Sequence, residues 1–135
     1  MASLDDICAR FNAAPYYRLL GMVAASDAPG RSRVTLPFRD ELAQLYGGIH
    51  GGALLALADS AINIALATTF EADEMTGTVD IAMSFIAPAG RRDVVAEGVL
   101  VRRGNRLAFA ECTLRAGDEL VARAQGTCYV STRTP

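Results

Sequence analysis

At 135 residues, 51% apolar and 21% charged, the chain has the composition of an ordinary globular protein and is long enough to bury one core; disorder is excluded. All thirteen basic residues are arginine, which excludes a Schiff-base lysine and a lysine-bearing phosphate loop, and a net charge of −2 argues against general nucleic-acid binding. His50 is the single histidine, and Cys8, Cys112 and Cys128 lack metal-ligand spacing, so no metal site is expected.

The start, MASLDDICARF, is acidic and has no apolar h-region, so no secretory signal is expected. The longest apolar run, residues 53–69, is interrupted by Asp59, Ser60 and Asn63 and is too polar for a membrane span. A cytoplasmic protein with reduced, mostly buried thiols is the expectation.

In chain order, a short helix is predicted from Ser3, with Asp5 and Asp6 in its first turn, ending before Ala14-Pro15. Residues 21–25 and 32–38 read as two strands around the turn Ala28-Pro29-Gly30. A connection with Gly47-Gly48 leads to one long Ala/Leu-rich helix over 50–69, roughly 30 Å long. After it, Val79, Ile81, Met83 and Phe85 alternate with Asp80, Ala82 and Ser84 as the two faces of a strand. Strands at 93–103, 106–116 and 119–131 follow, divided by the turn pairs Gly104-Asn105 and Gly117-Asp118. The order is short helix, hairpin, long helix, then a meander of about four strands. A long apolar helix needs cover, and the simplest packing is an antiparallel sheet curled around it: one α+β domain over 1–135, the hotdog fold.

Two features of the long helix are unusual. It opens on Gly51-Gly52, each costing roughly 1 kcal/mol against alanine in a helical position. Bare backbone there could serve a turn or close packing, or could let a ligand reach first-turn N–H groups that lack helical partners and suit a polarised carbonyl or an oxyanion. Asp59 lies in the middle of the Ala/Leu run. With Gly52, Ala56 and Asn63 it forms an i, i+4, i+7, i+11 stripe of small or polar residues, with Leu54, Leu55, Ile62 and Leu66 supplying bulk elsewhere. Such a carboxylate is either structural or catalytic. Gly51 and Asp59 are eight residues apart, about 12 Å along the axis, so one copy of the helix cannot bring both to one reacting carbon. If both act on one substrate, two antiparallel copies of the helix must share two sites across a twofold axis, which predicts an obligate dimer.

The segment Gly47-Gly48-Ile49-His50-Gly51-Gly52-Ala53-Leu54-Leu55-Ala56-Leu57-Ala58-Asp59 resembles the signature of PaaI-type hotdog acyl-CoA thioesterases. Leu20-Gly21-Met22, Thr78-Val79-Asp80, Phe85-Ile86-Ala87-Pro88-Ala89, the segment from Val101 to Arg106, and Ala124-Gln125-Gly126-Thr127 extend the likeness over nearly the whole chain. The resemblance implies hydrolysis of an acyl-CoA thioester, with aryl or arylacetyl groups as the family preference and no cofactor. It implies that the Gly51 N–H polarises the carbonyl and that Asp59 is nucleophile or general base. His50 would shape the helix entrance, Gln44 would orient substrate or water, and Gly52 and Asn63 would line the site. A homodimer, commonly a dimer of dimers, is also implied.

Thiolate is a good leaving group, so one carboxylate and one oxyanion donor suffice without a strong general acid. Coenzyme A carries phosphate charges, and Arg102, Arg103 and Arg106 around Gly104-Asn105 are candidates to meet them, since arginine forks match phosphate oxygens. Arg91-Arg92 reads rather as a solvated turn. A non-catalytic acyl-CoA sensor and a hotdog dehydratase are the competing readings; the Gly-Gly after His50 and the presence of Asp59 disfavour both.

Overall fold

The computed structural model describes residues 2–133. The first helix, α1 (Leu4–Asn12), starts where its cap predicts: Ser3 Oγ accepts from the Asp6 N–H at 3.1 Å and the Asp6 carboxylate accepts the Ser3 N–H at 3.3 Å, a reciprocal capping box. Pro15, which stops α1, also opens a second helix, α2 (Pro15–Leu20), where the sequence reading has none. Proline suits a first helical position because its missing N–H would be unpartnered there anyway. Gly21, expected to begin a strand, instead ends α2 in the left-handed region at φ 79°.

The hairpin follows as β1 (Val23–Ala25) and β2 (Arg31–Leu36), antiparallel with Val23 opposite Thr35. The long helix is α3 (Gly51–Ala67), and four strands complete the chain: β3 (Glu74–Phe85), β4 (Val94–Arg103), β5 (Leu107–Ala116) and β6 (Glu119–Thr132). They form one antiparallel sheet in the order β1-β2-β4-β5-β6-β3. The expected four-strand meander is therefore corrected: β4, β5 and β6 meander, whereas β3 skips over them to pair with β6 at the far edge.

Packed on β2 through β6, α3 forms with the sheet the helix-in-sheet arrangement of the hotdog fold. Leu57, Ile62, Ile64 and Leu66 of α3 meet Val34, Leu36, Val94, Leu114 and Val121 of the strands with no solvent exposure. Helix and sheet backbones come close at Gly98, where a Cβ would sit 2.5 Å from the Ala61 carbonyl oxygen; Ser32 Oγ donates to that same oxygen at 2.6 Å.

A β-bulge at Val79 breaks the expected alternation of β3, since Thr78 pairs with Cys128 and Asp80 already with Thr127. Before the bulge Thr76 and Thr78 turn toward α3; after it Ile81 and Met83 are the partly buried residues, and Val79 and Phe85 are exposed rather than inward. The three cysteines are buried free thiols, and burial, helped by the charge of Glu97, pushes Cys112 up to about 12. Arg91 and Arg92 are pinned within the fold. Arg91 donates to Asp40 and the Gly47 carbonyl and lies 4.7 Å from the Phe38 ring centre, and Arg92 pairs with Glu119 at 2.7 Å. Among the described residues no helix is long and apolar enough to cross a membrane.

Candidate active site

The entrance of α3 is built by its own cap. His50 has extended backbone (φ −68°, ψ 136°), and its Nδ1 accepts the Gly52 N–H at 2.7 Å. As acceptor, Nδ1 carries no proton, so the ring hydrogen belongs on Nε2. The folded-back ring explains one glycine, because a Cβ on Gly52 would come within 2.9 Å of Nδ1. With the Gly52 N–H engaged, the Gly51 N–H has no acceptor among the described residues. Phe85 lies beside it, its ring 3.3 Å from where a Gly51 Cβ would be.

Gln44 lies in the turn that precedes this entrance. Its backbone N–H donates to Gly48 O at 2.7 Å, its carbonyl accepts from Gly47 N–H at 2.9 Å, and its side-chain oxygen accepts from the Tyr46 N–H, so its amide nitrogen is free of intramolecular acceptors among the described residues.

From Gly52 onward, a cleft of about 680 Å³ opens between α3, β3 and the two N-terminal helices. The small and polar stripe of α3 lines it: Gly52, Ala56, Asp59 and Asn63 all face in. Leu55, placed elsewhere by the sequence reading, also lines the cleft and is 37% exposed. Leu54, Ile62 and Leu66 are in the core as expected.

Asp59 is half-buried, and one of its oxygens is held firmly. Thr78 Oγ1 donates to Oδ1 at 2.5 Å and Asn63 Nδ2 donates to the same atom at 3.2 Å. Asn63 is fixed in turn: Nδ2 also reaches Asp59 O and Thr78 Oγ1, and its Oδ1 accepts from Thr76 Oγ1 at 3.3 Å. The second oxygen, Oδ2, has no partner among the described residues and is the one left for a ligand or water. Thr78 and Thr76 were missed as site residues in the sequence. Two hydroxyls two apart on one strand were the available signal, but an unbroken alternation in β3 puts Thr76 and Thr78 on the face opposite Ile81 and Met83, and only the bulge at Val79 brings them to the same side.

The arginines around Gly104-Asn105 divide. Arg103 is engaged within the fold: it donates to the Thr69 carbonyl at 2.9 Å, pairs with the Glu74 carboxylate and lies over the Phe70 ring. It ties the end of β4 to the exit of α3 and the start of β3. Arg102, Asn105 and Arg106 are exposed, and no side-chain partner is recorded for them among the described residues. Thr69 is ten residues beyond Asp59, so this hairpin lies about 15 Å along the helix from the carboxylate.

Known proteins share this architecture. Acyl-coenzyme A thioesterase 13 of Homo sapiens is 29% identical over 130 residues, spanning 93% of this chain and 92% of that protein. A variant of phenylacetic acid degradation protein PaaI from Thermus thermophilus is 31% identical and superimposes with a TM-score of 0.78, over 86% of this chain and 98% of that one. A thioesterase from Haemophilus influenzae, 19% identical, has the same fold with a TM-score of 0.88 over 98% of this chain and 92% of its own. Residues 46–123, from the turn before α3 into β6, match the thioesterase superfamily. The chain belongs to this superfamily and is a PaaI-type thioester hydrolase of the hotdog fold.

Proposed function

We propose that the protein hydrolyses acyl-CoA thioesters at sites shared by two copies of the chain, with Asp59 from one copy and the Gly51 N–H from the other. The observation that carries this reading is the separation of the two groups on one rigid helix. The free donor stands at its first turn, and the half-held carboxylate lies about 12 Å further on. An exposed edge supports the pairing: β3 is bonded to β6 on one side only, and Met75, Val79 and Phe85 are exposed along it. An open apolar edge of this kind is a ready surface for a second copy.

In the reaction, the Gly51 N–H, at the positive end of α3, donates a hydrogen bond to the thioester carbonyl oxygen and stabilises the oxyanion. His50 takes up the neighbouring Gly52 N–H and fixes the direction of this donor. Asp59 Oδ2 either removes a proton from water as the water adds to the carbonyl carbon, or adds to that carbon itself; Thr78 and Asn63 hold Oδ1 and so aim Oδ2. The C–S bond then breaks and the CoA thiolate departs, leaving the free acid in the first route and, in the second, a mixed anhydride on Asp59 that water hydrolyses to free acid and carboxylate. Gln44 orients substrate or water at the entrance, and Arg102 and Arg106, with Asn105 between them, meet CoA phosphates that an extended pantetheine arm carries away from the carboxylate.

Mixing two inactive variants tests the shared site. Asp59→Ala removes the carboxylate. Gly51→Pro removes the N–H at a first helical position that tolerates proline, after a residue whose extended backbone already suits it. Each alone should be inactive, whereas equal co-expression should restore about one quarter of wild-type turnover, since half the dimers are mixed and each has one intact site. No recovery in co-purified mixed dimers would place both groups in separate functions.

A further inference from the structure

We propose that Tyr17 sets the upper size of the acyl group: its ring, carried by α2, walls the cleft beside Asp59 and favours short or compact acyl chains over long straight ones. The inference rests on the thioesterase reading of that cleft.

Two walls of the cleft, α3 and β3, provide Asp59 and the groups that hold it. The third comes from the N-terminal helices, through Phe11, Tyr16 and Tyr17. Tyr16 is 55% exposed and stands at the rim. Tyr17 is half-buried and is backed by Phe11, with ring centroids 5.8 Å apart and planes tilted by 48°. The base beneath this pair is rigid. Asn12 exchanges two hydrogen bonds with Ala24 of β1, at 2.7 and 3.1 Å, and the Tyr17 carbonyl accepts the N–H groups of both Gly21 and Met22.

Tyr17 lines the cleft together with Ser60, the residue after Asp59, so its ring stands at the level of α3 at which the carboxylate stands. Burial, reinforced by the nearby Asp59 charge and partly offset by Ser60, pushes this hydroxyl up to about 12, so the wall is uncharged at neutral pH. Behind Ser60 the protein is closed: its hydroxyl lies 3.7 Å from Met22 Sδ, and Met22 is only 3% exposed. An acyl group with its carbonyl at Asp59 therefore meets the Tyr17 ring within its first few carbons. Removing the ring opens space between Phe11 and Ser60 into which a longer chain can extend.

The test compares butanoyl-CoA with dodecanoyl-CoA in wild type, Tyr17→Phe, Tyr17→Leu and Tyr17→Ala, all checked for thermal unfolding. Wild type should prefer butanoyl-CoA. Tyr17→Ala should move the kcat/KM ratio toward dodecanoyl-CoA by about tenfold or more, through the KM of the long ester. Tyr17→Leu should fall between, and Tyr17→Phe should keep the wild-type ratio. Wild-type preference for dodecanoyl-CoA, an unchanged ratio in folded Tyr17→Ala, or an equal fall for both esters would each overturn the proposal. Dissociation constants for the two esters, measured in Asp59→Ala with and without Tyr17→Ala, separate this inference from the reaction. If wild type hydrolyses neither ester, the proposed reaction fails, and the shift or constancy of the binding ratio alone decides the role of Tyr17; absence of any binding overturns both.

Discussion

The two faces of α3 are made from one run of seventeen residues and obey different rules. Toward the sheet, Leu57, Ala58, Ala61 and Ile62 have no exposure and pack in one core with the apolar strands. Toward the cleft, Gly52, Ala56, Asp59 and Asn63 are small or polar, and Asp59 and Asn63 are bound to each other and to Thr76 and Thr78. Stability resides on the first face and chemistry on the second. A carboxylate can therefore stand in a very apolar helix without an unpaired charge being buried, because its cleft side stays open to water.

The sharpest way to break this division is Ile62→Ala. Ile62 is fully buried and its Cδ1 is 3.2 Å from where a Gly126 Cβ would be. Its truncation should lower unfolding free energy by about 2–5 kcal/mol in denaturant titration while turnover of the folded enzyme stays within about twofold. The converse is Thr78→Val, which keeps the shape but removes the hydroxyl bound to Asp59. Loss of a hydrogen bond to a charged group, worth about 1.5–3 kcal/mol, predicts a fall in kcat of about ten- to a hundredfold with KM and melting temperature little changed; Thr78→Ser should restore it. If Thr78→Val melts the protein as Ile62→Ala does, the faces are not independent.

The smallest effect belongs to neither face. At the exit of α3, the Arg103 guanidinium hydrogen-bonded to Glu74 holds that carboxyl below its ordinary value, against the opposing effect of burial, with the Glu71 N–H assisting. Its stabilisation is full above the unfolded-state carboxylate value and is lost as pH falls through the lower folded value. Wild type should thus lose up to about 1 kcal/mol more than Glu74→Gln on acidification through that window, read by urea unfolding at a series of pH values.

Parts of this site were legible early for definite reasons. The alternation of small and polar residues at Gly52, Ala56, Asp59 and Asn63 follows helical geometry, which depends only on spacing, and the cleft lies along that stripe. Leu55 was misassigned because periodicity separates faces but does not say how wide the open one is. At Gly51-Gly52 the residues left two readings open, close packing or ligand access. The His50 ring packs closely against Gly52 and takes up its N–H, while the Gly51 N–H has no partner among the described residues. Arg103 shows the reverse: its charge was visible, and its engagement by Thr69 and Glu74, about thirty positions away in the chain, was not.

By itself the sequence determined what is local: the capping box at Ser3, the extent of α3 to within two residues, the turns between β4, β5 and β6, and the place of Asp59 on the helix. Each rests on interactions within a few residues, or on a period that one element repeats. Tertiary structure alone decided that β3 pairs with β6 and not β4, that a bulge at Val79 turns Thr78 toward Asp59, and that Tyr17, on a helix too short to show a period, stands beside the carboxylate. The physical reason is common to all three. Hydrophobic patterning states which face is buried but not what it is buried against, and that choice is made by packing among residues far apart in the chain.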